Sequence, residues 1–397
     1  MNSELIETLL KEVRDIRVGV IGDFCQDCYW DLCPEDDVVS VETGIAVQRF
    51  TKQRYSLGGA GNVAMNLSDL GVQNIYAFGV VGKDPFSKQM LALMNENGIN
   101  SDGMLYQEEN WNTPCYIKPI TNGVEGHRMD FGCFNTISPE MESVLLSTIR
   151  GAMDHLDIVI VNQQLPPGLH SDTFIEGLNA IVIEANKFFI LDSRDLGDKY
   201  HGMIKKINDY EVMLAAGHDV TPFDDIDIDD LLDACKKAFE KWQHAFVVTR
   251  GHKGCLIVKP GNISEIPGIK VNGEIDSVGA GDTFIAGLAA AFGGQSKLPE
   301  ATEFANLMAS ITVTKLNETG TASPAEIREA ASELNYLYHQ DLAENVDKAV
   351  YWTDSSIEVI NGPGTDEIKH IIFDHDGTLS VLREGWERVM QPVMMKA

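Results

Sequence analysis

The sequence is poor in basic residues, and this shortage limits its partners. Its 397 residues include 31 Lys and Arg against 60 Asp and Glu, which gives a formal net charge of −29. A protein of that charge repels a phosphate backbone or an anionic membrane at long range, so we expect neither nucleic acid nor a membrane as a partner. No run approaches the roughly 18 apolar residues of a membrane-spanning helix. Residues 1–15 also lack the basic and continuous apolar regions of a signal peptide, so the expected location is the cytoplasm.

Cysteine is scarce, and its seven residues are odd in number and scattered, which argues against a disulfide scaffold. Cys25, Cys28 and Cys33 form a C-x2-C-x4-C cluster. No second Cys or His pair stands at the spacing that completes a tetrahedral zinc site, so we expect no metal there. The motif GxxxxGK[ST] is also absent, which excludes a P-loop NTPase. With 44% hydrophobic and 23% charged residues, the composition is that of an ordinary globular protein.

Short apolar runs alternate with helical stretches along most of the chain. Strand-like runs occupy residues 17–22, 75–81, 158–161, 188–191 and 245–249. Helical stretches such as residues 62–70 and 85–97 end at Gly71 and Gly98. This alternation predicts an α/β fold with a doubly wound, mainly parallel sheet and helices on both faces.

Two segments, residues 38–57 and 115–129, interrupt this alternation. The second contains Asn122-Gly123, a strong hairpin signal because both residues tolerate positive φ. A small β-sheet beside the carboxyl ends of a parallel sheet covers the edge where such sheets bind ligands. We therefore predict a lid over about residues 30–57 and 111–135. An unpaired lid edge would attract a second copy, so we also predict a homodimer formed through the lid.

A glycine-rich segment, GAGNVA at residues 59–64, matches the dinucleotide fingerprint G-x-G-x-x-A only weakly. It does not follow the first strand, and no acidic residue ends a second strand about 20 residues later to hold a ribose. Two interpretations remain: the glycines allow a close approach of backbone segments, or they bind a sugar.

The most informative segment is DSVGAGDTFIAGL at residues 276–288, a turn of small residues that leads into an apolar helix. The backbone amides of Gly279, Ala280 and Gly281 would point outward at the positive end of that helix. Such amides can cradle the charge of a phosphoryl group during its transfer. Asp282, at the helix start, can accept a proton from an attacking hydroxyl. The alternative is that Asp282 only caps the helix.

Residues 276–288 resemble the second signature of the PfkB (ribokinase-like) carbohydrate kinase family, and SLGGAGNVAMN at residues 56–66 resembles the first. NDYE at residues 208–211 is similar to the family's N-x-x-E element, and TRGHKG at residues 249–254 resembles its strand and loop under the nucleotide. These four motifs stand in the family's order. The resemblance implies a ribokinase-like fold and a kinase that transfers the γ-phosphoryl group of ATP, with Mg²⁺, to a sugar hydroxyl.

Within that family, GDFCQDCYW at residues 22–30 resembles the opening motif of heptose 7-phosphate kinases. RMDFG at residues 128–132 and DSR at residues 192–194 resemble that subgroup's R-x-D-F and D-P-K elements, although Ser193 and Arg194 depart from the latter. The resemblance implies phosphorylation at C1 of a heptose 7-phosphate. The alternatives are another sugar, sugar phosphate or nucleoside as substrate, or a noncatalytic sugar-binding protein on the same scaffold.

The resemblance also assigns roles to individual residues. The sugar is assigned to Asp23, Asp27, Gly58, Gly59, Asn62, Arg128 and Asp130. The nucleotide is assigned to Asp192, Asn208, Thr249, Gly251, Gly254 and Asn306, and Mg²⁺, through water, to Asn208 and Glu211. Acceptor-only carboxylates suit a polyol, and Arg128 suits the phosphate of the sugar. Each has a structural alternative: solvated charges for Asp23, Asp27, Arg128, Asp192 and Glu211, and a structural hydrogen bond for Asn306.

The end of the sequence predicts a change of domain. A helical pattern at residues 324–337 closes the main domain, and NGPGT at residues 361–365 indicates a linker. DHDGT at residues 374–378 resembles motif one of the haloacid-dehalogenase (HAD) phosphatases, with Asp374 as nucleophile and Asp376 as acid/base. The alternative is a fortuitous strand and turn. We predict a kinase domain at 1–335, a linker at 336–366 and a truncated HAD-like segment at 367–397 without phosphatase activity.

Overall fold

The computed structural model describes residues 1–33, 38–165, 168–316 and 319–337. Its strands are β1 Arg17–Gly22, β2 Phe24–Leu32, β3 Val38–Val39, β4 Ala46–Val47, β5 Phe50–Gly59, β6 Asn74–Val81, β7 Ile99–Tyr106, β8 Cys115–Thr121, β9 Val124–Glu125, β10 Met129–Phe131, β11 Ile158–Gln163, β12 Phe188–Ser193, β13 Ile204–Asn208, β14 Phe246–Thr249, β15 Cys255–Lys259, β16 Asn262–Ile266, β17 Gly268–Ile269 and β18 Tyr336–Leu337. Its helices are α1 Ser3–Glu12, α2 Ala60–Leu70, α3 Pro85–Glu96, α4 Pro139–Ala152, α5 Asp172–Ala185, α6 Asp209–Ala215, α7 Ile228–Trp242, α8 Ala280–Gly293, α9 Leu298–Thr312 and α10 Pro324–Ser332.

The main sheet has, within the described residues, nine strands in the order β16-β15-β14-β13-β12-β11-β1-β6-β7. Every pair of neighbours in this order from β14 to β7 is parallel. The pairs β14–β15 and β15–β16 are antiparallel. The predicted doubly wound, mainly parallel sheet is therefore confirmed. The strand order reverses at β1, and such switch points open a crevice at the carboxyl ends of the strands.

Helices cover both faces of this sheet, as the alternation of its buried side chains requires. Ile158 and Ile160 of β11 belong to the core cluster under α1, α2, α8 and α9, and Val159 and Val161 to the cluster under α4 and α5. A third cluster lies under α6 and α7. No helix of the described residues combines the length and the hydropathy needed to cross a bilayer.

A second sheet forms the predicted lid. Its strands follow the order β10-β8-β2-β5, and β9 also pairs with β8. The hairpin between β8 and β9 has Asn122 at φ 52° and Gly123 at φ 80°, the turn geometry that the sequence predicted. The sequence analysis did not assign a strand to residues 24–32, yet β2 lies in the middle of this sheet between β5 and β8.

The end of the described chain differs from the prediction. The helical pattern predicted for residues 324–337 holds only to Ser332, where α10 ends. Tyr336 and Leu337 instead form β18, which pairs antiparallel with β17. The assignment of a helix to residues 333–337 was therefore wrong, because pairing with a strand that is distant in the sequence leaves no local signal. Tyr336 and Leu337 open the predicted linker of 336–366, and the rest of it lies outside the described residues, as do Asp374, Asp376 and the predicted HAD-like segment.

Candidate active site

The amino end of α8 lies at the center of the candidate site. Gly279 is its N-cap residue at φ 80°, a left-handed conformation that glycine adopts without strain. The Ala280 amide donates to the Ser277 carbonyl at 3.2 Å, so this amide is engaged and not free as expected. The amides of Gly279 and Gly281 have no acceptor within the described residues. Two amides at the positive end of a helix thus remain available to an anion.

Asp282 stands in the first turn of α8 and remains partly accessible. Its Oδ2 accepts a hydrogen bond from Asn62 Nδ2 at 2.7 Å. Among the described residues, the helix does not use this side chain as its cap, because Gly279 is the N-cap residue. Burial raises the pKa of the Asp282 carboxyl to about 6, although the hydrogen bond from Asn62 opposes the shift. The carboxylate is thus held from α2 and presents a base of moderate strength to the crevice.

Asn62, the hydrogen-bond partner of Asp282, is itself held in place by a neighbouring residue of α2. Asn66, one helical turn after Asn62, donates from Nδ2 to the Asn62 carbonyl at 2.9 Å. Thr283 of α8 donates from Oγ1 to Asn66 Oδ1 at 2.7 Å. This buried chain of polar groups joins α2 to α8, so the glycine-rich segment and the Asp282 segment, 220 residues apart in sequence, meet at one point.

A buried ion pair that the sequence analysis did not identify lies below α8. Lys206 of β13 places Nζ at 3.1 and 3.3 Å from the two carboxylate oxygens of Asp192 on β12. Burial acts to lower the Lys206 pKa, but the carboxylates of Asp192, Glu211 and Asp282 together outweigh that effect and raise the pKa above its usual value. Its sequence signal is a pair of lysines, Lys205 and Lys206, inside a short buried strand just before the N-x-x-E segment.

The N-x-x-E segment forms a capping box at the start of α6. Asn208 Oδ1 accepts from the Glu211 amide at 2.7 Å, and Glu211 Oε2 accepts from the Asn208 amide at 2.8 Å. Burial raises the pKa of the Glu211 carboxyl. Glu211 Oε1 remains for a ligand, but within the described ranges no group of three or more Asp, Glu, His or Cys side chains can hold a metal ion. These donors suit Mg²⁺ that is carried mainly by phosphates and water.

Asp23 lies between the two sheets, directly after β1. Its Oδ2 accepts from the amides of Gln164 and Leu165, both at 2.8 Å, and lies 3.6 Å from His170 Nε2. The side chain is therefore neither solvated nor fully free for a sugar, because one oxygen holds the loop after β11. Asn162, at the end of β11, has both side-chain amide atoms buried and without a partner in the part of the chain described. Such unpaired polar atoms are typical of a pocket that receives a polar ligand or water.

Alternate residues of the lid strands place several charges on one face. Asp27 of β2 pairs with Lys118 of β8 at 2.9 Å, and both side chains are largely buried. The Tyr29 ring lies between Lys118 Nζ at 4.8 Å and the Arg54 guanidinium at 5.0 Å from its centroid. Lys118 and Arg54 were not among the predicted site residues, because only the register of three lid strands brings Lys118 to Asp27 and Arg54 to Tyr29.

A second ion pair lies beside the first. Arg128 donates from Nε and Nη2 to the two oxygens of Asp130, both at 2.7 Å, and lies 4.6 Å from the center of the Tyr116 ring. Tyr116 is the register partner of both Asp27 and Asp130, so the two pairs share one lid face. Gly58 adjoins them: a Cβ there would lie 2.9 Å from Asp27 Oδ2.

On the other side of α8 lies a cavity of about 670 Å³, a size that fits a nucleotide. The predicted nucleotide residues among its walls are Thr249, Gly251, Gly254 and Asn306, together with Ala280 and Gly281. Asn306 also donates to the Pro267 carbonyl at 3.1 Å, so its structural hydrogen bond and its place in the cavity wall coexist. His252 and Phe284 line the cavity as well and were not predicted.

Sequence comparison with known proteins identifies a family that includes most of this chain. A family model described as pfkB family carbohydrate kinase matches residues 20–326. The protein named bifunctional protein HldE of Hydrogenovibrio crunogenus is 26% identical over 378 residues, 94% of this chain and 73% of the relative. The protein of the same name from Trichlorobacter lovleyi is 28% identical over 344 residues, 86% of this chain and 67% of the relative.

Solved structures share the fold at low sequence identity. An Arabidopsis thaliana ribokinase complexed with ribose and ATP superposes with a TM-score of 0.60 at 20% identity, covering 80% of this chain and 99% of the other. Phosphofructokinase-2 from Escherichia coli in complex with potassium gives 0.64 at 16% identity, with the same coverage. These values establish a ribokinase-like architecture.

Proposed function

Because this chain belongs to the pfkB family of carbohydrate kinases, it is a phosphotransferase acting on a sugar hydroxyl, and we propose that its donor is ATP and its acceptor a heptose 7-phosphate. The observation that carries the proposal is the position of Asp282. Its carboxylate lies between the nucleotide-sized cavity on one side of α8 and the lid charges on the other. The similarity to the HldE proteins and to the heptose kinase motif at residues 22–30 supports the choice of sugar.

The proposed transfer follows from these contacts. The sugar hydroxyl attacks the γ-phosphorus while Asp282 takes its proton, and the bond from the γ-phosphorus to ADP breaks. The amides of Gly279 and Gly281 stabilise the charge on the transferred group. When bound, Mg²⁺ supplies further charge compensation, and Asn208 and Glu211 are the residues that would hold its waters. The lid excludes water, which would otherwise accept the phosphoryl group.

The pH dependence of the reaction tests the base. Asp282 accepts a proton only when ionised, and its pKa is raised to about 6. We expect kcat/KM to be level above that value and to fall about tenfold per pH unit below it. Asn62→Ala removes the hydrogen bond that lowers this pKa, so the acidic limb should move to higher pH. A profile that stays level down to the ordinary pKa of an aspartate would contradict the assignment.

The substitution Arg128→Met tests whether Arg128 binds the phosphate of the sugar. Loss of a charge-assisted contact of about 1.5–3 kcal/mol should raise KM for a sugar phosphate by about 10- to 100-fold and leave KM for an unphosphorylated sugar unchanged. The measurement is ADP release over a panel of heptose, hexose and nucleoside acceptors with and without phosphate. Arg150→Met is the matched control, since Arg150 forms an exposed pair with Glu184 on the helical layer. If the unaltered protein preferred unphosphorylated acceptors, the proposal that its substrate is a heptose phosphate would be wrong.

We also propose that the protein forms a homodimer through the lid. β5 ends the sheet order of the lid, and the neighbouring segment exposes Val41 and Ile45, with relative exposures of 102% and 68%. An open strand edge beside exposed apolar side chains favours pairing with a second copy. Light scattering at micromolar concentration should give twice the chain mass. Val41→Asp with Ile45→Asp should give the monomer, and Val144→Asp on α4 should not. A monomer before any substitution would contradict the proposal.

A further inference from the structure

Lys206 carries a buried positive charge, and the phosphoryl transfer proposed above gives this charge no role. Lys206 is 9% exposed and occupies the middle of β13, in direct register with Asp192 of β12. Asp192 is in turn in register with Asn162 of β11. These three polar side chains form a row across adjacent parallel strands. Burial of an ammonium group is costly, so a lysine that serves only the fold is rare in such a position.

The ammonium group lies directly beside the phosphate cradle. Lys206 Nζ is 3.0 Å from the point where a Cβ on Gly281 would stand, so it touches the first turn of α8. Asp282 and Glu211 also act on it electrostatically. One ammonium group thus contacts Asp192 and lies within the electrostatic influence of Glu211 and Asp282, beside the amides proposed to bind the transferred phosphoryl group.

The geometry leaves part of this group free. An ammonium group has three N–H donors, and Asp192 takes at most two of them, at 3.1 and 3.3 Å. Both distances exceed the 2.7–2.9 Å of a tight charge-assisted hydrogen bond. Asp192 therefore positions Lys206 without saturating it. Nζ lies beside Gly281, whose amide has no acceptor among the described residues.

We propose that Lys206 is a catalytic residue whose Nζ donates a hydrogen bond to the γ-phosphoryl oxygens during transfer, and that Asp192 is its positioning residue. This inference rests on the proposed kinase function. Lys206 keeps its proton throughout: the bond to ADP breaks, the bond to the sugar oxygen forms, and the proton of the hydroxyl goes to Asp282. The positive charge helps most when charge shifts in the transition state, so it should act on kcat more than on KM.

The test is a double-mutant cycle in the full chain. Lys206→Met should lower kcat about 100-fold and change KM for ATP and sugar little. Asp192→Asn should lower kcat about tenfold, and the double variant should be no slower than Lys206→Met alone, since Asp192 acts through Lys206. The double variant also avoids an unpaired buried carboxylate, so it stays folded if the single lysine variant does not. Lys206→Arg should recover part of the rate.

Lys205→Met is the matched control. Lys205 is the preceding residue of β13, equally buried, and donates to the Tyr200 carbonyl at 2.8 Å, away from the cradle. It should keep kcat unchanged. Near-full kcat in folded Lys206→Met, or losses that multiply in the double variant, would overturn the inference about Lys206 or about Asp192. Absence of turnover by the unaltered protein on every acceptor would instead overturn the kinase proposal itself.

Discussion

Replacing Asp282 by Asn should lower kcat about 10⁴-fold, the upper part of the range for loss of a general base. The substitution keeps the size of the side chain. The new amide can turn its oxygen toward Asn62 Nδ2, so the bond between α2 and α8 at 2.7 Å is preserved. Only the ability to take the proton is lost. Binding of ATP should change little, because the amides of Gly279 and Gly281 are untouched.

The measurement is steady-state ADP release, with nucleotide affinity determined separately by calorimetry. Asp172→Asn is the matched control, because Asp172 also stands in the first turn of a helix, α5, but forms only an exposed pair with Lys199 at 2.6 Å. It should retain full turnover. If Asp282→Asn kept a rate within tenfold of the unaltered protein, another group would have to act as the base.

Replacing Gly59 by Ala should destabilise the folded protein by about 4 kcal/mol, the sum of backbone strain and a steric clash. Gly59 adopts φ 56° and ψ −130°, a conformation open essentially only to glycine. A Cβ there would lie 2.4 Å from the Asp23 carbonyl oxygen and 3.3 Å from Cys25 Sγ. A backbone oxygen cannot move aside as a flexible side chain can, so β2 and β5 would have to separate.

Urea denaturation should show this loss as a lower midpoint, or the variant should fail to accumulate in folded form. Gly151→Ala provides the comparison: its Cβ would meet no atom within 4 Å, and it lies in the last turn of α4, where alanine is favoured over glycine. That variant should be neutral or slightly stabilised. The expectation would be contradicted if the free energy of unfolding of Gly59→Ala lay within about 1 kcal/mol of that of the unaltered protein, an ordinary effect of replacing glycine. The backbone around Gly59 and Asp23 would then be able to relax.

Features with a local cause could be predicted from the sequence. Five strands of the main sheet, β1, β6, β11, β12 and β14, follow from short buried apolar runs. The lid hairpin follows from Asn122-Gly123, whose positive φ values the turn requires. The start of α8 follows from small residues before an apolar helix. Each of these depends on residues close together in the chain, which one sequence displays directly.

Features that depend on pairing between distant segments could not be predicted. Lys206 meets Asp192 only because β13 lies beside β12 in one register, and Lys118 meets Asp27 only because β8 pairs in parallel with β2. The end of residues 324–337 forms a strand because β17 is available beside it. The Asn208–Glu211 segment illustrates a further difficulty: the same four residues satisfy a helix cap and the proposed magnesium waters, and the sequence cannot separate these roles.

The two connections between the main sheet and the lid bear on how fast the protein would hydrolyse ATP without a sugar. β1 continues into the lid through Asp23, and β5 returns to α2 through Gly59, and the two connections are joined by a hydrogen bond from the Ala60 amide to the Asp23 carbonyl at 3.0 Å. In the proposed kinase, this junction would be both the pivot of the lid and the floor of the sugar pocket, one helical turn from Asn62, which holds the proposed base. We expect an acceptor too small to contact this junction to leave the lid open and the proposed base poorly aligned. Solvent water is such an acceptor, so idle ATP hydrolysis should be slow.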